Sequence, residues 1–118
     1  MMANATLKGT GNARSIASLL ESEITNSGIT NEMVYKVQRN FGTDSICLMV
    51  FEKFYYRNGS RASLTVLVSE QGDQVTVDVT GSGGGQHIFF KFNFGAESNF
   101  VQLVKNILIP KGFRVVSE

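Results

Sequence analysis

The chain has 118 residues, of which 42% are hydrophobic, and its eleven Lys and Arg residues nearly balance ten Asp and Glu residues, for a net charge of +1. This length suits one hydrophobic core, so we expect residues 1–118 to form a single domain. The near-neutral charge disfavours a nucleic-acid partner, and no apolar run approaches the ~20 residues of a membrane-spanning helix.

A short strand and an amphipathic helix are the first predicted elements. Thr6-Leu7-Lys8 favours an extended conformation, and residues 9–12 (GTGN) predict a turn that ends in a helix N-cap. Asn26-Ser27-Gly28 is typical of a helix C-terminus. Between them, the apolar residues that recur at helical spacing are Ala13, Ile16, Ala17, Leu19, Leu20 and Ile24.

The central part of the chain predicts strands. From Met33 the apolar period becomes two, which puts Met33, Tyr35 and Val37 on one face of a strand that ends near residues 40–44. Residues 45–56 are apolar on both faces at first, which predicts a long strand covered by a helix on one side.

Asn58-Gly59 predicts a hairpin. Both central residues of a type I′ turn take positive φ, and asparagine followed by glycine is the pair that adopts this conformation most readily. Two further alternating runs, residues 62–68 and 75–79, are separated by turn residues at 70–73. Together these segments predict a three-stranded meander.

The C-terminal part predicts one more strand, a helix and an edge strand. Residues 87–94 alternate again after the interruption at 81–86, and apolar residues at helical spacing follow from Phe100 to Leu108. Pro110 and Gly112 would end that helix, and residues 113–116 would form the last strand.

This order, β-α-β-β-β-β(-β)-α, predicts an α+β fold with a curved antiparallel sheet and two helices on one face. The topology resembles one half of the TATA-binding-protein fold and, more loosely, the helix-grip folds. Topology alone transfers no function.

The glycine-rich segment and two arginines are the candidate binding residues. The segment is interpreted either as a nest of backbone N–H groups for an anionic ligand or as a wide turn between strands. Arg57 and Arg61 bracket the Asn-Gly turn, where they would bind a carboxylate or phosphate or would simply form a solvated charged turn. The candidate ligand-binding residues are Gly81, Ser82, Gly83, Gly84, Gly85, Gln86, His87, Arg57 and Arg61.

No cofactor motif is present, and one histidine with one cysteine does not supply a metal site. Cys47 lies in an apolar run and is interpreted as a small buried hydrophobic residue. The alternative to a binding module is an enzyme in which His87 acts with Ser82 or with a carboxylate such as Asp78 or Glu97.

Phe89 supports a third hypothesis, a homodimeric structural protein. The phenylalanines of residues 89–94 occupy both faces of the predicted strand. An exposed Phe89 would form a dimer contact or the rim of an apolar pocket, and the alternative is that the second helix covers both sides of the strand end.

Three segments, FEKFYYRNGSRASLT at residues 51–65, GSGGGQ at 81–86 and FGAE at 94–97, resemble an uncharacterised family of small bacterial proteins. The resemblance covers nearly the whole chain and implies a bacterial cytosolic protein, without naming an activity or site residues. The N-terminus has no basic stretch followed by an apolar core, so we expect no export signal. The leading hypothesis is a cytoplasmic, nonenzymatic module that binds a small anionic ligand or a protein.

Overall fold

The computed structural model describes residues 2–27, 31–55, 60–83 and 100–118, and in these residues six strands form one antiparallel sheet. The strands are β1 (Met2–Thr10), β2 (Asn31–Phe41), β3 (Asp44–Tyr55), β4 (Ser60–Gln71), β5 (Gln74–Gly83) and β6 (Arg114–Ser117). Helix α1 spans Ala13–Thr25, and the described part of α2 covers residues 100–108. The sheet order is β2-β3-β4-β5-β1-β6, and the predicted α+β element order is confirmed.

Both helices pack against the same face of the sheet. Alternate side chains of the strands are buried on that face and belong to one hydrophobic cluster with the apolar stripes of α1 and α2. The largest buried members are Phe51, Leu7, Leu20, Ile24, Met49, Leu64 and Leu108. No described element covers the opposite face, which we call the open face.

Several local signals produce the predicted structure. The Asn12 side chain accepts a hydrogen bond of 2.8 Å from the Ser15 backbone N–H and so caps α1. Gly42 lies in the two-residue turn that joins β2 to β3, and Gly72 lies in the two-residue turn that joins β4 to β5. Each glycine occupies the first central position of its turn and has φ of 65°. Pro110 lies in a 3₁₀ turn after α2, and Gly112, with φ of 96°, ends that turn.

The hairpin predicted around Asn58-Gly59 is confirmed in its pairing but not in its register. Strands β3 and β4 are antiparallel neighbours with Tyr55 opposite Ser60, whereas a two-residue turn at Asn58-Gly59 would place Tyr55 opposite Ala62. The turn itself, residues 56–59, lies outside the described residues, as does the strand predicted over residues 87–94.

A bulge at Val34 corrects the predicted alternation of β2. Met33 lies opposite Phe51 and packs against the core, whereas Tyr35 lies opposite Val50 on the open face. The extra residue shifts the side-chain period by one. Lys36 therefore lies on the helical side, where it pairs with Glu21 of α1 at 2.8 Å and the hydrogen bond raises the pKa of Lys36.

Gly9 belongs to β1 and not to the predicted turn. It pairs with Val75 of β5 and lies on the helical side, where the ring of Phe113 covers it. The chain leaves the sheet only at Gly11, whose backbone N–H donates to the Asp73 carbonyl at 3.1 Å. Close packing against an aromatic ring, rather than a turn, explains the glycine at position 9.

Glu70 of β4 holds the N-terminus of α1 on the sheet. Its Oε1 accepts hydrogen bonds from the Ala13 backbone N–H at 2.9 Å and from the Ser45 hydroxyl at 3.3 Å. A carboxylate at this position satisfies a free N–H of the first helical turn and interacts favourably with the positive end of the helix dipole.

Replacing Glu70 by alanine should lower the free energy of unfolding by about 0.5–2 kcal/mol, the usual effect of losing a helix cap. Chemical denaturation of wild type and variant measures the difference. Glu23→Ala on the exposed side of α1 is the matched control and should change stability by less than about 0.5 kcal/mol. Equal losses in the two variants would contradict the capping role.

Candidate functional site: the open face of the sheet

The central rows of one half of the open face, on β2, β3 and β4, are mainly apolar. Val37, Leu48 and Leu67 lie side by side on three neighbouring strands, and Tyr35 lies beside Val50 in the next row. Tyr35 is 54% exposed. We call this surface the apolar patch; its residues are Tyr35, Val37, Ile46, Leu48, Val50 and Leu67.

The other half of the open face, on β5 and β1, is polar and rich in threonine. Thr6 of β1 lies opposite Asp78 of β5, and its hydroxyl donates to the carboxylate at 2.7 Å. Thr80 lies opposite Thr65 of β4, and Thr76 lies opposite Lys8. The open face thus changes from apolar to polar across the strands.

Along the strands, the open face changes in charge. Glu32 of β2 lies directly opposite Glu52 of β3, near one end of the strands. At the other end, Arg39 of β2 and Lys8 of β1 occupy the same row, and Arg114 of β6 lies opposite Lys8. Like charges on directly opposite strand positions repel each other, so these pairs favour a partner with the opposite charge.

A depression of about 220 Å³ lies on the open face at its basic end. Phe41, which is 62% exposed, and Ile46 form apolar walls, while Asp44, Ser69 and Thr76 supply polar groups. The depression continues the apolar patch toward the β2–β3 turn.

Arg61, a predicted binding residue, lies on the open face at the acidic end. Its guanidinium is paired with Glu52 at 3.0 Å and lies 5.4 Å from the ring centre of Phe54. Because Ser63 lies opposite Ser82, Arg61 is a diagonal neighbour of Ser82. The described members of the predicted site are therefore close together, but the charge of Arg61 is already balanced by a carboxylate.

Strand β5 extends further than predicted, because Gly81, Ser82 and Gly83 of the glycine-rich segment belong to it. Gly81 is buried opposite Leu64, and Gly83 lies opposite Ala62. Continuous pairing with β4 keeps these residues in the sheet, so they do not form a nest of free N–H groups. Gly84, Gly85, Gln86, His87 and Arg57 lie outside the described residues.

The catalytic alternative pairs His87 with Ser82 or with a carboxylate, and two of these candidate partners, Ser82 and Asp78, lie on β5. They are four residues apart on that strand, about 13 Å at the usual rise. His87 and Glu97 lie outside the described residues. In the part of the chain that the structure describes, no three His, Cys, Asp or Glu side chains are grouped to hold a metal ion.

Cys47 is fully buried on the helical face of β3, as predicted. Burial raises the pKa of its thiol, and the nearby Lys36 opposes this effect. Both the burial and the raised pKa make the thiol unreactive in the folded protein.

The apolar patch is the feature that sequence reasoning missed. Its signal was the run from Ile46 to Phe51, which is apolar at every position and so must place apolar side chains on both faces of β3. Only the sheet order shows that Leu67 and Val37 extend this surface on both sides.

A family model described as "Family of unknown function (DUF6054)" matches residues 2–109. The chain belongs to this family. No curated protein and no solved structure matches the chain, so the resemblance to the TATA-binding-protein fold stays a prediction. No described helix of this family member is both long enough and apolar enough to cross a bilayer.

Proposed function

We propose that the protein is a nonenzymatic interaction module that binds a partner through the open face of its sheet. The observation that carries this proposal is the apolar patch, in which Val37, Leu48 and Leu67 lie side by side with no described element over them. Half-buried apolar side chains in neighbouring strands, bordered by polar rows, are typical of sites of protein association.

A protein partner fits the open face better than a small anion does. Arg61 is engaged by Glu52, and Gly81 is paired within the sheet, so two of the groups predicted to hold an anion are occupied. The depression beside Phe41 contains Asp44, which would repel an anion.

We further propose a cytoplasmic location, in keeping with a single buried cysteine that forms no disulfide.

Thiol labelling of Thr65→Cys tests whether the open face is accessible. Thr65 lies at the centre of the face on β4, and the native Cys47 is buried and serves as the silent internal control. In monomeric protein, the introduced thiol should react orders of magnitude faster than Cys47, and Ser18→Cys on the exposed side of α1 sets the rate for a free surface thiol.

The two outcomes of this labelling separate the hypotheses. Rapid reaction of Thr65→Cys in the monomer supports a free binding face. If it reacts as slowly as Cys47 while both react quickly in denaturant, the face is covered within the chain and the proposed function is wrong.

A further inference from the structure

We propose that the partner on the open face is a second copy of this chain, bound face to face about a two-fold axis perpendicular to the strands; this inference rests on the proposed function. The axis lies between the Tyr35–Val50 row and the Val37–Leu48 row. The rotation places the Tyr35–Val50 row of one copy over the Val37–Leu48 row of the other copy, and the reverse. The two apolar patches therefore cover each other.

The apolar and polar halves of the open face select this axis. A two-fold axis parallel to the strands through the middle of the sheet would instead place the apolar patch of one copy over the polar half of the other, including Asp78 and Thr80. That arrangement would desolvate the Asp78 carboxylate against leucine and valine side chains, which is costly.

The charges on β2 and β3 support the same axis independently. The rotation brings Arg39 of one copy over Glu32 of the other, beside Glu52, and the symmetric contact forms on the opposite side. In the described residues, Glu32 has no ion-pair partner, and Arg39 donates only to the Gln38 carbonyl, at 3.1 Å. The second copy would supply the counter-charge that each of these residues lacks.

The ends of the face are complementary as well. The rotation places Phe54 and Arg61 of one copy over the depression of the other, where Asp44 and Phe41 form part of the lining. An aromatic side chain that enters a depression buries apolar area of both copies at each end of the interface.

The size of the face is sufficient for a dimer. Six strands about 4.8 Å apart and roughly eight residues long give a face of about 29 by 27 Å, or roughly 800 Å². A stable interface buries about 800 Å² on each partner.

Charge reversal at Glu32 and Arg39 tests the proposal on the full chain. We expect native mass spectrometry and sedimentation to show a wild-type dimer, and we expect Glu32→Arg or Arg39→Glu alone to raise the dimer dissociation constant at least about tenfold, because each change creates two like-charge contacts. Neither residue is buried, and Glu32→Arg also removes the repulsion of Glu52, so both variants should fold.

Mixing the two variants provides the decisive measurement. A chain with Arg39→Glu and a chain with Glu32→Arg have opposite charges at both contacts, so an equimolar mixture should form the heterodimer with the wild-type dissociation constant. The two chains differ in mass, so native mass spectrometry counts the heterodimer directly. Glu23→Arg and Arg14→Glu on the exposed side of α1 carry the same charge changes and should leave dimerisation unaltered.

Three results would overturn the second-copy proposal: a monomeric wild type at tens of micromolar, a dimer that tolerates both reversals, or a mixture without heterodimer. Thr65→Cys labelling distinguishes these failures from failure of the proposed function. If the protein is monomeric and the thiol of Thr65→Cys reacts rapidly, the open face is free to bind a different partner and only the second-copy proposal is wrong. If the protein is monomeric and that thiol does not react, both the proposed function and the second-copy proposal are wrong.

Discussion

Phe51→Ala is expected to lower the free energy of unfolding by about 3–5 kcal/mol, the usual cost of removing a buried aromatic side chain. Phe51 is fully buried at the centre of β3, opposite Met33 on one neighbouring strand and Leu64 on the other. Its removal leaves a cavity bounded by paired strands, which have little freedom to close around it. Denaturation with urea, followed by circular dichroism, measures the loss.

Phe41→Ala is the matched control for this prediction, because Phe41 lies in the same sheet but is 62% exposed. It should change the free energy of unfolding of monomeric protein by less than about 0.5 kcal/mol. Similar losses at both positions would mean that the helical face does not hold the main core.

Gly9→Ala is expected to lower the free energy of unfolding by about 1–3 kcal/mol, as overpacking of a filled core does. A Cβ at position 9 would lie 2.6 Å from Cδ1 and 2.7 Å from Cγ of Phe113. The φ of Gly9 is not positive, so alanine meets no backbone strain there. Without the ring, the same substitution in a strand would be mildly stabilising.

A double-mutant cycle with Phe113→Ala separates the two effects. If the ring causes the loss, Gly9→Ala should cost less in the Phe113→Ala background, with an interaction energy of about 0.5–3 kcal/mol. An unchanged cost in that background would assign the effect to the backbone of β1 instead.

The helices and turns could be predicted because their signals are local. Asn12 caps α1 through a residue three positions away, and Gly42 and Gly72 enter their turns because they tolerate positive φ. Pro110 and Gly112 end the α2 region for the same kind of reason. In each case the preferred conformation depends on the residue and its immediate neighbours.

Local pattern was insufficient where neighbouring strands decide the outcome. Residues 81–83 contain two glycines and favour a loop by composition, but pairing with β1 and β4 keeps them in β5. The bulge at Val34 arises between β2 and β3 and reverses the face that Tyr35 occupies. Strand pairing adds backbone hydrogen bonds that outweigh weak local preferences.

The candidate site shows the same division. The residue types predicted for it included Arg61 and Ser82, and the structure places both at one end of the open face. The larger feature, the apolar patch, combines residues from β2, β3 and β4 whose proximity depends on register, and a one-residue slip would have moved every one of its side chains to the other face.

The sequence alone determined the α+β class, the two amphipathic helices, the alternating strands and the burial of Cys47, because periodicity and capping are properties of short segments. Only the tertiary structure decided that β1 lies between β5 and β6, that Gly9 lies beneath Phe113, and which face of the sheet the helices leave open. These features depend on contacts between residues far apart in the chain, and no local preference specifies such contacts.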